Sequence, residues 1–384
     1  MKILLASDTY IYQTSGAANV VITLEDGLRR HGHDVRVLAP ANERTSFREG
    51  ESFFIRSVPA LFYPDVRLCP VHGDPLVEEI KRWKPDLIHL HTEASIARFA
   101  RDIARRTGAP IVITTHTDYA DYLFGGFRKT LPVRLLMNAI GKPFYHSAAA
   151  VTAPSEKARD FAMMHSVRDK MRVIPNGIHL ERFQKPVSAA EKAALFEKHG
   201  MKDNGFTLVM VTRVSHEKNI LEILQYMSAL RKELPQAQLI IAGDGPDRKH
   251  LEAYCEDNGL KECVCFAGRI PPDEVYRYYA MGDVFVSAST FEVHSLSYLE
   301  AMACGLPLVC REDACLLGVL ENGKNGFIYR TEGEYVDAVT KILTDRPLRA
   351  SMCEEALHRV DDFSDEHHVE NMIALYEEVL RTSS

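Results

Sequence analysis

Glu292 and Glu300 stand eight positions apart in the stretch FEVHSLSYLEAMACGLPLV, which runs from Phe291 to Val309. Tyr298 to Ala303 is a good helical run, and the hydroxyl of Ser295 or Ser297 is suited to accept from an early backbone N–H, which predicts a short helix starting near those serines. Glu292 then falls just before a helix N-terminus and Glu300 on its first turns. A helix start presents unpaired N–H groups and the positive end of the peptide dipoles, a place for phosphate, with a carboxylate on each side for sugar hydroxyls. The pattern suits the binding of a nucleotide sugar. A plain helix with two solvated glutamates would read the same, so other stretches must decide.

Four other stretches carry candidate chemistry. Thr212-Arg213-Val214-Ser215-His216-Glu217-Lys218-Asn219 pairs a guanidinium able to fork onto phosphate oxygens with a point charge five positions later. Ser15-Gly16-Ala17-Ala18 precedes a helical segment, and Gly16 lets the backbone approach a bound group closely, although no complete G-x-G-x-x-G is present. Thr114-Thr115-His116-Thr117-Asp118 closes a predicted strand, and His116 is suited to bond a sugar hydroxyl or an acceptor oxygen. Gly243 and Gly245 in Ala242-Gly243-Asp244-Gly245-Pro246 form a tight turn, while Gly268-Arg269-Ile270 offers a backbone edge for a flat base. A fifth stretch, Phe127 to Tyr145, interleaves Arg128, Lys129, Arg134 and Lys142 with apolar residues. It reads either as a helix lying in an anionic membrane surface or as a core-facing helix with a charged back.

The elements that must position these residues alternate. Strands are predicted at Ile3–Ala6, Asp34–Leu38, Phe53–Val58, Leu87–Leu90, Ile111–Thr114, Ala149–Thr152 and Arg172–Ile174, with helical segments such as Asn19–Arg30 and Ala94–Arg106 between them. A second series follows Pro175-Asn176-Gly177: strands at Leu208–Val211, Gln238–Ala242, Val264–Ala267, Val284–Ser287 and Leu308–Cys310. Helices are predicted there at Asn219–Lys232, Asp247–Asp257, Pro272–Ala280, Glu332–Leu343 and Leu348–Arg359. The expected fold class is α/β, two doubly wound Rossmann-like domains facing a cleft. Residues 1–178 form the first, 179–364 the second, and the amphipathic segment Asp365–Arg381 crosses back so that 365–384 join the first. At 384 residues two cores are the natural expectation.

Charge is uneven. Met1 to Pro175 holds 24 lysines and arginines against 19 acidic residues, leaving 22 against 34 for the remainder of a chain of net charge −7. The basic half suits an anionic surface; nothing points to nucleic acid. Eight cysteines with no pair spaced by two residues fit reduced, mostly buried thiols better than zinc or redox sites. Met1 leads directly into a strand and no run reaches membrane-spanning length, so a cytoplasmic protein is expected, peripheral on the inner face of the cell membrane if the basic helix binds there.

Taken together, these residues resemble a retaining glycosyltransferase of family 4, with the fold known as GT-B, across essentially the whole chain. The most specific match is Glu292, Glu300 and the following Ala-Met-Ala-Cys-Gly-Leu-Pro. Within the family the likeness is to bacterial diacylglycerol glucosyltransferases, carried by Ser7-Asp8-Thr9-Tyr10, His89-Leu90-His91-Thr92-Glu93, Thr115-His116-Thr117, Pro175-Asn176-Gly177-Ile178, Ser287-Ala288-Ser289-Thr290 and Glu321-Asn322-Gly323-Lys324-Asn325-Gly326-Phe327. The resemblance implies that Glu300 holds the ribose, Arg213 and Lys218 the diphosphate, and Glu292 the transferred hexose. It places backbone N–H groups around His294, Ser295 and Leu296 beside that hexose, Gly16 beside the diphosphate, and His116 beside the sugar near the acceptor; Gly243 and Ile270 belong to the donor-binding set.

The same resemblance implies UDP-glucose as donor substrate, a lipid acceptor such as diacylglycerol, no cofactor, and no bound metal, in keeping with the missing Asp-x-Asp motif. Glu292 and His116 would be the catalytic pair. Attack would come from the face of the departing phosphate, with closure excluding water. The chain departs from its lipid-glucosylating relatives after the first glutamate, with Val293-His294-Ser295-Leu296 where they tend to have Thr-Gln-Gly-Leu. Readings that stay open are another acceptor, an epimerase or phosphorylase on the same fold, and a silent nucleotide-sugar-binding protein.

Overall fold

The computed structural model describes the chain apart from residues 12–15, 60–66, 71–72, 93, 117–129, 133–134, 136–140, 142–143, 164–166, 204 and 384. It divides into two compact units, Met1–Ile178 with Asp365–Ser384, and His179–Ser364. Each unit is a sheet with its own apolar core.

The first unit contains β1 (Lys2–Ala6), β2 (Asp34–Pro40), β3 (Phe47–Glu49), β4 (Ser52–Ile55), β5 (Val58–Pro59), β6 (Arg67–Leu68), β7 (Leu87–Leu90), β8 (Ile111–Thr114), β9 (Ala150–Ala153) and β10 (Met171–Val173). Eight of these form one sheet in the order β10-β9-β8-β7-β1-β2-β4-β3, parallel except at the edge, where β3 runs against β4. β1, β7, β8 and β9 are short and buried almost throughout, as strands covered on both faces must be. The C-terminal helix Asp365–Ser383 packs on helix α1 (Gly16–Arg30), and its Val369, Met372, Leu375, Tyr376 and Val379 share a core with Ile3, Leu5, Val21 and Leu24.

The second unit is a six-stranded parallel sheet in the order β13-β12-β11-β14-β15-β16. Its strands are β11 (Thr207–Val211), β12 (Gln238–Ala242), β13 (Val264–Gly268), β14 (Val284–Ser287), β15 (Leu308–Arg311) and β16 (Gly326–Tyr329). Its core gathers Leu208, Ile223, Leu239, Val286 and Val339.

Several local expectations are corrected. The predicted strand Phe53–Val58 is two, β4 and β5, because Arg56 and Ser57 leave the sheet; Ser57 Oγ donates to the carbonyl of Ala41. The predicted helix Pro272–Ala280 is a 3-10 turn, Pro272–Glu274, followed by a short α-helix, Val275–Tyr279, as two prolines at the start favour a tight first turn. The edge strands β3 and β16 and a helix at Ala189–Lys198 with a Ser188–Glu191 capping box were not anticipated. All eight cysteines are free thiols, five of them buried, and burial raises the pKa of Cys304 and Cys310. No helix among the described residues is long and apolar enough to cross a membrane.

Candidate active site

In the second unit the strand order reverses between β11 and β14, the place where open α/β sheets bind ligands beyond the strand carboxyl ends. The two loops leaving these strands carry the candidate residues. After β11 the chain passes Arg213 and makes a 3-10 turn, His216–Lys218, that ends at Asn219 with φ 50°. After β14 it reaches Glu292. Lys218 Nζ lies 2.5 Å from Glu292 Oε1, the side chains 22% and 14% exposed. Asn219 Nδ2 also reaches the Ala288 carbonyl at 3.4 Å, and Ser289 Oγ the Glu217 carbonyl at 3.5 Å. The loops are therefore stitched into one ledge at the switch point, and two residues assigned to different parts of a donor are an ion pair.

The Arg213 loop is held from behind by the glycine turn. Gly243 has φ 146°, and a Cβ on it would stand 1.8 Å from the Thr212 carbonyl oxygen; one on Gly245 would stand 2.2 Å from that of Val214. With no Cβ in the way, Thr212 N–H donates to the Ala242 carbonyl and Val214 N–H to that of Asp244. Gly243 thus serves the site by letting two loops touch, while Arg213 itself is exposed. Gly243 N–H also donates to the Gly268 carbonyl at 2.8 Å, which draws the ends of β12 and β13 together, with Ile270 half-buried just beyond.

The central helix runs Leu296–Ala303. The expectation of a serine cap is corrected in detail. Ser295 occupies the N-cap position but accepts nothing from the helix, because its hydroxyl lies 3.0 Å from that of Ser297 and the two satisfy each other. The first-turn N–H groups are therefore not taken by either serine. The helix stops in a Schellman motif: Gly305, at φ 73°, donates to the Met302 carbonyl and Leu306 to that of Ala301, after which Pro307 cannot continue it. That is the physical content of Ala-Cys-Gly-Leu-Pro. Glu300 is half-buried, its Oε2 2.8 Å from the Tyr279 hydroxyl; burial raises its pKa, while the Tyr279 bond and the Arg182 charge oppose the rise. His294 is buried and its ring packs 5.7 Å from that of Phe363.

The first unit reverses its strand order between β1 and β7. There Asp8, buried, accepts from the Ile96 N–H at 2.9 Å and from the hydroxyls of Ser95 and Thr92, each at 2.7 Å. Its carboxylate sits on the N-terminus of helix Ser95–Thr107, so the protein's own anion takes up the unpaired N–H and the positive end of that helix. Next to it lies a set of imidazoles. His89 is bonded on both sides, to the Tyr376 hydroxyl at 2.6 Å and to Thr114 Oγ1 at 2.7 Å. The ring of His91 lies 4.0 Å from that of His89, and its Nδ1 meets Nε2 of His116 at 3.0 Å. Burial holds all of them neutral, aided by neighbouring imidazoles at His89, His91 and His116: His89 and His91 fall well below the usual range, His116 to about 3 and, against the Pro175 carbonyl and Asp365, His368 to about 4. Gly16 is exposed at the start of α1.

Asp8, His91, His368 and Tyr279 were not assigned roles from sequence. The alternation His89-x-His91 at a strand end was a usable signal; the remote Tyr279 and His368 gave none. Arg128, Lys129 and Arg134 lie outside the described residues.

Two doubly wound sheets, each with candidate residues at its switch point, are the architecture of the two-domain glycosyltransferases that the chain matches. The chain matches the family described as "Glycosyltransferase Family 4" over residues 14–182 and "Glycosyl transferases group 1" over 191–359, and it belongs to this glycosyltransferase family. It is 32% identical to the alpha-monoglucosyldiacylglycerol synthase of Streptococcus pneumoniae, over 90% of this chain and 79% of that protein. To the protein of the same name from Acholeplasma laidlawii it is 29% identical over 98% and 96%. Among solved structures, Anabaena HepE in complex with UDP superposes with a TM-score of 0.76 at 19% identity, covering 98% of this chain and all of that one, a likeness of GT-B fold.

Proposed function

We propose that this enzyme moves a glucosyl group from UDP-glucose to the free hydroxyl of diacylglycerol, with retention of configuration, at the cytoplasmic membrane surface. The observation that carries the reading is the Lys218–Glu292 pair bridging the two switch-point loops, in a chain similar along most of its length to two glucosyldiacylglycerol synthases. An arriving diphosphate offers Lys218 two charged oxygens in place of one carboxylate. The exchange turns Glu292 toward the hexose hydroxyls at the moment the donor is bound.

Arg213, on a loop pinned by Gly243 and Gly245, meets the same diphosphate. Together the two cations stabilise the charge that grows on the leaving group, without a metal in this reading. Glu300 accepts from the ribose hydroxyls in addition to Tyr279, the base rests near Ile270, and the N–H groups around His294, Ser295 and Leu296 face the hexose. Gly16 supplies a further backbone approach to the diphosphate, and His116 a bond to the hexose. For the membrane, the first unit brings its excess of basic residues, including Arg128, Lys129 and Arg134. In the same stretch of sequence Leu131 and Leu135 are 68% and 59% exposed.

The test is incubation of the protein with UDP-glucose and vesicles containing diacylglycerol, with and without EDTA. An α-linked glucosyl lipid formed equally in both supports the reading. UDP release without a lipid product moves the acceptor elsewhere, and no turnover of any UDP-sugar overturns it. Glu300→Gln is expected to weaken UDP binding by about 10-fold or more in calorimetry, since an acceptor-only group becomes half donor. Unchanged affinity would remove Glu300 from the ribose.

A further inference from the structure

The contact between His91 and His116 restricts what His116 can do. With both rings neutral, the 3.0 Å bond between His91 Nδ1 and His116 Nε2 has one proton and two tautomeric solutions. In one, His116 donates from Nε2, which forces His91 to carry its proton on Nε2. That atom is buried without a hydrogen-bond partner, and His91 is 1% exposed. A buried N–H with nothing to donate to is among the rarest features of folded proteins, whereas an unused acceptor lone pair is tolerated more readily. In the other solution His91 donates from Nδ1, its Nε2 is the bare lone pair, and His116 accepts at Nε2 and carries its proton on Nδ1.

We propose that His91 is a positioning residue that fixes His116 in its Nδ1–H tautomer, so that His116 meets its ligand as a neutral hydrogen-bond donor and not as a base. The ring that does this is itself located: it lies against His89, whose two nitrogens are both engaged, one by Tyr376 of the C-terminal helix and one by Thr114 of β8. The near-parallel setting of the His91 and His116 rings, 16° between planes, leaves His116 little freedom to swing and present the other nitrogen. The depressed pKa of the imidazoles agrees, since it keeps both rings of the contact neutral, one donating and the other accepting. A donor at this point suits a hydroxyl oxygen of the hexose or the departing phosphate oxygen, which gains charge as the glycosidic bond breaks. This use of His116 rests on the function proposed above; the tautomer does not.

Nitrogen NMR of protein labelled at its histidines, with His116 assigned by its loss in His116→Ala, reads the tautomer directly at neutral pH in the free enzyme. A protonated Nδ1 and a bare Nε2 are expected; the reverse overturns the proposal. Two substitutions then carry it to turnover. His91→Asn keeps an N–H donor near the position of Nδ1 and is expected to hold the His116 signature and most of kcat. His91→Asp can only accept, so it should move the His116 proton to Nε2, lower kcat by about 10²-fold with KM changed far less, and introduce a new ionisation into the pH profile. Equal kcat in the Asn and Asp variants would overturn the positioning role. Full activity in His116→Ala would instead remove His116 from the reaction while leaving the NMR result to decide the tautomer.

Discussion

Acid should unfold the first unit before it affects the second, and the histidines say by how much. His116 and His368 have folded pKa values of about 3 and about 4, against 6.5 for an unperturbed imidazole, because burial penalises the charged ring. With the folded value depressed, the unfolded chain binds more protons below pH 6.5, so stability present at neutral pH is lost as the pH falls toward the folded values. Between pH 7 and pH 5 each unfolded imidazole takes up most of a proton and each folded one almost none. The loss is about 2 kcal/mol per histidine, or about 4 kcal/mol for this pair.

His89 and His91 shift in the same direction and add to that loss. The buried carboxyl of Glu25, raised by desolvation, works the other way and is relieved on acidification, but it is one group against four. The assay is urea unfolding followed by Trp83, the sole tryptophan, whose Nε1 donates to Asp34 within the first unit. At a slope of about 2–3 kcal/mol per molar for a unit of this size, the midpoint should drop by about 1–2 M from pH 7 to pH 5. His368→Gln should cut that loss by about 2 kcal/mol whatever it does at pH 7. A Trp83 midpoint unchanged or higher at pH 5 would refute the reasoning.

Two further outcomes test the site's supports. Gly243→Ala forces a Cβ into the Thr212 carbonyl and should cost about 1–3 kcal/mol in the second unit by thermal unfolding, while weakening UDP because the Arg213 loop must move; normal UDP affinity would show that the turn does not set that loop. Asp8→Asn keeps size and removes charge and one acceptor from the helix start. It should lower the Trp83 urea transition by about 1–3 kcal/mol and leave UDP affinity intact, and a loss of UDP affinity would contradict the purely structural role given to Asp8.

The sheets were legible because their strands are short apolar runs closed by glycine, proline or polar residues, and the ends of Val284–Ser287 coincide with the prediction. β16 escaped because Gly326–Tyr329 is four residues in the shadow of a turn, and its partner in β15 is nearly twenty residues away. Among the candidate residues, Arg213, Lys218 and Glu292 were legible as residue types after strand ends, and Glu300 as one on the short helix that follows. The direct pairing of Lys218 with Glu292, 74 positions apart, was beyond any local pattern. Gly243 was recognised as a turn, but that the turn exists to touch another loop depends on tertiary packing, as does the contact of Tyr279 with Glu300. The serine cap failed for a simple reason: two hydroxyls two residues apart compete for each other as well as for the backbone.

The C-terminal helix has a consequence for how the protein is made. Because Val369, Met372, Leu375 and Tyr376 complete the core that includes Ile3, the strands around Ile3 cannot finish folding until the helix Asp365–Ser383 has been added. At about 5–20 residues per second, synthesis of residues 179–384 keeps the first unit waiting about 10–40 s with an apolar face uncovered. The second unit, continuous in sequence, has no such delay and should fold first. Synthesis that stops before codon 365 yields a chain whose second unit is whole and whose histidine stack lacks the tyrosine that anchors it.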